Sequence, residues 1–537
     1  MLRRFWTPAY ALALSLLVTA PLLAPGYVLL RDAVSTPRSY LTDAALGLSQ
    51  AAPRALPQDF FLAVTSSVLD GGVVVKILLI SGLWLAGWGA ARLVDAVLGE
   101  AGLPGQLVAT TLAIWNPYVA ERLLQGHWSL LVGYGCLPWV AAGVLRLRTQ
   151  SGSVLALLFW IALAGLTPTG LMLAAVVALV CVAAPGDGWP RWRVAGVGVG
   201  AAVLAAVPWL VAAAVGGSVS STAAAGVPAF AARAEPGLGT LGSLAALGGI
   251  WNGDAVPASR TTLFAVVATV VLLGVVVAGL PVVARRPAAV PLLVLAAVAV
   301  IAPAVTATGP GMAAVEAMIR AVPGLGVLRD GQKWVALAMP GYVVAAAAAP
   351  LTLQRLRIPL AASAAVSCAA LIAVLPDLAW GVGGHLRSVQ YPQSWAAAAA
   401  TINADPRPVA VLPPDSMREF SWAAPVLDPL PRWLRAEVLT TGDLSIGGRT
   451  VPGEGEHARA VQNLLLSGAS PQQLAEAGVG WVVHESDDDV TVQRIGGTAP
   501  ASPHRGLLIA AHLVWLGLLV GAGVGLAVRL LRRRSAD

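Results

Sequence analysis

Three polar clusters interrupt an otherwise apolar chain, and their residue types are those of acid–base chemistry and anion binding. The first is Arg31-Asp32-Ala33-Val34-Ser35-Thr36-Pro37-Arg38-Ser39-Tyr40-Leu41-Thr42-Asp43, continuing through Arg54 and Asp59. A carboxylate held beside a hydroxyl can take its proton if the carboxyl pKa stays below the working pH. Asp32, Asp43 and Asp59 are therefore candidate bases, and Asp32, nearest the end of the preceding apolar segment, comes first. The structural alternative is that Asp32 only pairs with Arg31 or Arg38, or caps a helix.

The second cluster runs from Trp115-Asn116-Pro117-Tyr118 through Glu121-Arg122 to Gln125-Gly126-His127-Trp128. Adjacent residues on a helix point about 100° apart, so Glu121 and Arg122 need separate partners. Arg122 suits a phosphate, because a planar guanidinium donates two parallel hydrogen bonds. His127 can add a donor or shuttle a proton. Against this stands an interfacial hairpin with a snorkelling arginine.

The third cluster is Leu328-Arg329-Asp330-Gly331-Gln332-Lys333-Trp334, which runs into an apolar helix. Only two lysines, Lys76 and Lys333, occur among 34 basic residues. Arg329 and Lys333 beside a helix N-terminus combine side-chain charge with free backbone N–H groups. The competing reading makes Asp330 a cap and the cations headgroup contacts.

The elements that must position these clusters are membrane helices. Hydrophobic residues make up 57% of the 537, charged residues 11%, and mean hydropathy is +0.76. Such a chain must face lipid or pack in a membrane bundle. Twelve apolar runs are expected as spans: 9–30, 73–94, 105–118, 127–146, 153–166, 170–184, 194–215, 261–283, 288–306, 334–350, 358–376 and 506–528. The first, preceded by Arg3 and Arg4, reads as a retained helix rather than a signal peptide. Runs 105–118, 153–166 and 170–184 are short for a ~30 Å hydrocarbon core; either they extend into flanking polar residues or they are half-helices meeting at Thr167-Pro168-Thr169-Gly170.

Arginine pairs at alternate boundaries, including 146/148, 191/193, 285/286 and 355/357, mark the cytoplasmic side. Residues 1–376 then form a bundle whose longer loops, 31–72, 116–127, 216–258 and 308–333, are extracytoplasmic. Residues 377–505 form an extracytoplasmic α/β domain of strand–helix–strand order (409–414, 458–466, 480–485). Residues 506–537 are a final helix and a basic tail. In that domain Trp422 and Trp433 are either a platform for a sugar's apolar face or core residues.

The polar mass outside and the lack of a P-loop-type phosphate motif argue against a nucleotide-dependent reaction. The net charge of +7 follows topology and implies no nucleic-acid partner. Three cysteines in apolar segments, Cys136, Cys181 and Cys368, suggest neither a disulfide framework nor a metal site.

The acidic loop Asp32–Asp59, the 116–128 and 328–334 stretches and the late α/β segment together resemble the GT-C superfamily of polytopic glycosyltransferases. The narrower resemblance is to actinobacterial envelope enzymes of the arabinofuranosyltransferase and mannosyltransferase kind. It implies a multi-pass cytoplasmic (inner) membrane protein, working on the extracytoplasmic face, with a polyprenyl-phosphate sugar as donor and an envelope glycolipid or glycan as acceptor. An acidic residue of the first outer loop would be the base, matched best by Asp32. Glu121, Arg122, His127, Arg329, Asp330 and Lys333 would line the substrate site, with Arg122 and Lys333 on the donor phosphate. The commonest pattern of adjacent acidic residues is absent, since Asp32 and Asp43 are eleven residues apart. Some members use a divalent cation, although no compact ligand cluster here demands one. The rival from another class is a non-catalytic protein that binds or translocates a lipid-linked glycan, or assists envelope assembly.

Overall fold

The computed structural model describes residues 3–49, 55–216, 222–322, 324–446, 449–487, 489–500 and 502–534, so Arg54 lies outside the described residues. Every one of the twelve apolar runs contains a helix. Among the described residues seven helices are long and apolar enough to cross a membrane, or up to nine if two bent pairs each count as one span. The smaller number has a physical origin. Gly102–Ile114, Val154–Ala164 and Pro168–Cys181 are 13, 11 and 14 residues long. At ~1.5 Å rise per residue they span about 16 to 21 Å, short of the ~30 Å hydrocarbon core.

Thr167 lies at the break between the last two, and its side chain accepts from Gly170 N at 3.0 Å as the cap of the second. Proline marks the bent pairs as well. Val290–Thr306 meets Gly309–Ala321 at 93°, just before Pro310, and Leu360–Ala373 meets Pro376–Gly383 at 74°. A proline fits the first turn of a new helix but cannot continue an old one.

The bundle packs through small residues. A Cβ on Gly135 would stand 2.2 Å from Gly82 O, so Gly71–Val97 and Trp128–Arg148 touch backbone to backbone.

Short strands build the remaining part of the fold. β1 (Tyr27–Leu30) pairs antiparallel with β2 (Ala33–Val34) and with β3 (Ser388–Val389). β4 (Val409–Leu412) belongs to a second sheet, and β5 (Met417–Arg418) and β6 (Val426–Leu427) form a ribbon. β7 (Leu444–Ile446) and β8 (Arg449–Val451) form another. β9 (Trp481–Glu485) is parallel to β4 and antiparallel to β10 (Val490–Arg494). The helices Glu456–Leu466 and Pro471–Glu476 connect β4 to β9 in a right-sized crossover for parallel strands.

Leu29 and Val34 are buried in the same apolar cluster as Trp395, Val409 and Trp433. The first loop is thus part of the α/β unit's core, although more than 350 residues separate them in sequence.

Candidate active site

The three sequence clusters converge. Asn116 caps the helix Pro117–Leu124, its side chain accepting from Val119 N at 3.1 Å. That helix ends at Gly126 (φ +84°), where a Cβ would lie 2.3 Å from Ala33 N and 2.4 Å from Leu30 O. Glycine there admits the β1–β2 hairpin, and Asp32 N donates to Gln125 O at 3.1 Å. Gln125 and His127 consequently flank the Asp32 carboxylate.

Asp32 Oδ2 receives His127 Nε2 at 2.8 Å and Gln125 Nε2 at 3.2 Å. Asn252 Nδ2 donates to Gln125 Oε1 at 2.8 Å, which fixes the amide's orientation. Burial works against the charged Asp32, but the His127 and Gln125 hydrogen bonds and the nearby Lys333 charge outweigh it and hold the carboxyl below its usual range. The side chain keeps 38% exposure, enough to meet a ligand.

The residue before Asp32 carries the backbone strain of the site. Arg31 has φ +47°, a left-handed conformation unusual outside glycine. Its N–H donates to Pro425 O at 2.7 Å and its C=O accepts from Leu427 N at 2.9 Å. Its guanidinium donates to Leu124 O and Asp254 O, each at 2.6 Å. Four bonds to three separate segments over-determine the strained conformation.

Behind His127 lies a buried charge network. Arg122, 0% exposed, donates to His127 Nδ1 at 3.1 Å, to both oxygens of Asp330 at 3.1 and 3.3 Å, and to Gln332 Oε1. Gln332 Nε2 donates to Glu121 Oε2 at 2.9 Å, and the backbone N–H groups of Gly249 and Ile250 bind Glu121 at 3.0 and 3.1 Å. Burial opposes the Asp330 charge, yet Arg122 and Lys333 pull its carboxyl down to about 2. Burial and the neighbouring Glu235 push Glu121 well above its usual range. Glu235 is itself paired with buried Arg260, an arrangement that no periodicity or spacing in the sequence announces.

This geometry corrects the expectation for Arg122 and Glu121. Neither reaches the cavity wall, and the guanidinium already has protein partners, so Arg122 positions other groups rather than holding a phosphate. Asp330 is buried against Arg122 and Lys333 Nζ (3.6 Å) with only a little of it at the wall. Asp43 is ion-paired with Arg505 at the start of the final helix and does not line the cavity. Asp59 lines it but is tied to Arg432 of the α/β unit, 3.4 Å away. Trp433 is core, and Trp422, stacked on Phe420 at 4.7 Å between ring centroids, does not line the cavity. Both tryptophans pack in the apolar core of the α/β unit and form no platform at the cavity.

The cavity has a volume of about 550 Å³. Asp32 and His127 share it with Arg329 and Lys333 on the bundle side, beside Phe230 and Trp251. The Arg329 guanidinium stands 4.1 Å over the Phe230 ring. Further lining residues, among them Asp415, Arg418 and Asp428, come from the α/β unit. Among the described residues no group of three or more His, Cys, Asp or Glu side chains could hold a metal ion.

The chain is thus an apolar helix bundle whose carboxylate-bearing first loop folds into a later α/β unit, with a cavity lined by both. Its apolar helices make it a multi-pass membrane protein. It is similar to the cryo-EM structure of the arabinofuranosyltransferase AftD from Mycobacteria, with a TM-score of 0.58 and 18% identity over 91% of this chain and 35% of that one. Two structures of a point mutant of that enzyme align at TM-scores of 0.55 and 0.54, with 19% and 16% identity over 90% of this chain and 37% of theirs. The chain thus spans about a third of the length of these structures, and the likeness is one of fold. No family model and no curated protein matches the chain.

Proposed function

We propose that this protein transfers a sugar, arabinose or mannose, from a polyprenyl-phosphate donor to a cell-envelope glycolipid or polysaccharide on the extracytoplasmic face of the cytoplasmic membrane. On this reading 31–72 and 377–505 lie together on that face. The observation that carries it is Asp32, ionised and aimed by His127, in one cavity with Lys333 and Arg329.

The acceptor hydroxyl gives its proton to the Asp32 carboxylate as its oxygen bonds to the anomeric carbon. The bond from that carbon to the phosphate oxygen breaks, and its electron pair leaves with the prenyl phosphate. Lys333, 26% exposed, and Arg329 offset the charge that develops there. The apolar wall of Phe230 and Trp251 keeps those cations in a low-dielectric setting, where they act more strongly.

The test is transfer from labelled polyprenyl-phosphate arabinose or mannose to a glycolipid acceptor by purified protein in nanodiscs. Asp32→Asn keeps the shape and the Gln125 contact while removing the base, so product formation should fall on the order of 100-fold or more with the thermal midpoint unchanged. Full transfer by that variant would remove Asp32 from the reaction. Donor binding with no turnover in the wild type would favour the rival, a protein that binds or translocates the lipid-linked glycan.

A further inference from the structure

One guanidinium in the α/β unit serves two carboxylates. Arg418 on β5, Asp428 just past β6 and Glu485 at the end of β9 are 4, 6 and 9% exposed. Arg418 Nε donates to Glu485 Oε2, and its Nη2 donates to Asp428 Oδ2 at 3.4 Å. With both acids ionised the group would hold a net negative charge away from water. Two neighbouring carboxylates avoid that cost by sharing a proton.

The hydrogen bonds say which acid holds it. Both Asp428 oxygens have donors, Oδ1 from Leu430 N at 2.8 Å and Oδ2 from Arg418. Glu485 Oε2 has Arg418, whereas Oε1 is buried and receives no donor among the described residues. Oε1 is thus the oxygen that gains by becoming a hydroxyl, and the Glu485 and Asp428 side chains hydrogen-bond each other. Burial and the Asp428 charge push the Glu485 carboxyl up to about 9, against the pull of Arg418. Charged groups on the surrounding elements are engaged elsewhere or face away. Asp487 and Asp489 accept from Ser421 N and Val490 N, Arg432 pairs with Asp59, and Arg31 and Asp32 bind Leu124, Asp254 and His127. Glu419 and His484 are exposed, and Tyr391, which faces Asp428, donates to Ser35 O at 2.9 Å.

This pair sits at the root of the loop that carries Asp32. Asp428 N donates to Ser416 O at 3.0 Å, and the preceding Leu427 N donates to Arg31 O at 2.9 Å. Arg31 N in turn donates to Pro425 O at 2.7 Å. The strand that Asp428 ends is therefore the one that holds Arg31 in its left-handed conformation, and Asp32 is the next residue. We infer that Glu485 holds a proton shared with Asp428, and that this buried pair positions Asp32 through the β5–β6 ribbon. The shared proton is independent of the transfer reading; the positioning role rests on it.

The experiment compares the full chain with Glu485→Gln, which keeps the shape and a donor but cannot ionise. A carboxyl whose pKa is raised by folding keeps its proton after the unfolded chain has lost it, so its contribution to stability falls as pH rises toward the folded pKa. Measured in detergent from pH 5 to 9, the thermal midpoint of Glu485→Gln relative to wild type should therefore rise steadily. A variant that lies below wild type by the same amount throughout would show an ionised Glu485 paired with Arg418 and overturn the proposal. For the positioning role, Glu485→Ala should transfer with a kcat about tenfold lower and the donor KM unchanged, and Glu485→Gln should restore kcat. If the alanine variant does not fold, Glu485→Asp, which withdraws the acid from Asp428, takes its place. Unchanged kcat in that variant, or no rescue by glutamine, would overturn the positioning role. A wild type without turnover would sink the transfer reading and the positioning role together, while the midpoints still decide the proton.

Discussion

His127 Nε2 lies 2.8 Å from Asp32 Oδ2, and the direction of that hydrogen bond is set from behind by Arg122. A guanidinium can only donate. With Arg122 Nη1 at 3.1 Å, His127 Nδ1 must accept, so the ring proton sits on Nε2 and points at Asp32. Burial holds the imidazole pKa below its usual value, and Arg122 and Lys333 add to that. The neutral ring therefore donates to an ionised carboxylate, and an imidazolium would face Arg122 donor to donor.

Replacing His127 should shift the pH dependence in a defined direction. The histidine holds the Asp32 pKa down, so in His127→Ala that pKa rises and the acidic limb of the pH–rate profile moves to higher pH. The plateau rate should also fall on the order of 100-fold, as an unaimed carboxylate loses its geometry. Transfer rates measured across pH 4–9 would check both, and an unmoved acidic limb would exclude the coupling.

Arg122 supports the site through stability. Arg122→Ala leaves Asp330 buried without its main counter-charge, and breaking such a pair costs roughly 3–5 kcal/mol. Arg122→Lys should rescue only part of this, because one ammonium cannot reach Asp330, Gln332 and His127 together. Thermal midpoints in detergent should fall in the order wild type, lysine variant, alanine variant.

Gly126 separates fold from site in another way. A methyl group would stand 2.3 Å from Ala33 N at a φ of +84°, so the hairpin must move away from the helix end. Gly126→Ala should cost about 1–3 kcal/mol in strain. It should also abolish transfer while the protein still inserts, because Gln125 and His127 no longer bracket Asp32. Wild-type activity in this variant would show that the close approach is not needed.

Arg31→Ala removes the bonds to Leu124 O and Asp254 O but keeps the backbone bridge to Val426. The expected result is a kcat about tenfold lower with the donor KM unchanged, since the base is loosened while the cationic wall is untouched. A raised donor KM with normal kcat would place Arg31 in binding instead.

Much of this molecule is legible along the chain because its signals are local. Lipid solubility is a property of composition, so the membrane class and the helical content of all twelve runs follow from apolar stretches. Proline and glycine mark the breaks at Pro168, Pro310 and Pro376 for equally local reasons. The number of full spans is less visible, since a run's apolar character does not give the helix length, which is set by where caps and breaks fall.

The chain by itself singled out candidate residues: Asp32, Arg122, His127, Arg329, Asp330 and Lys333 stand out because charge is scarce in an apolar sequence. Only the tertiary structure decided where each one sits and what it pairs with. Arg122 and Lys333 are both cations, yet one is sealed among Asp330, Gln332 and His127 and the other keeps 26% exposure at the cavity. Asp32, Asp43 and Asp59 are chemically the same, and it is contact with His127, Arg505 or Arg432 that separates them. Those partners lie 95, 462 and 373 residues away. Burial and ion pairing depend on distances in space, and only the folded chain sets those.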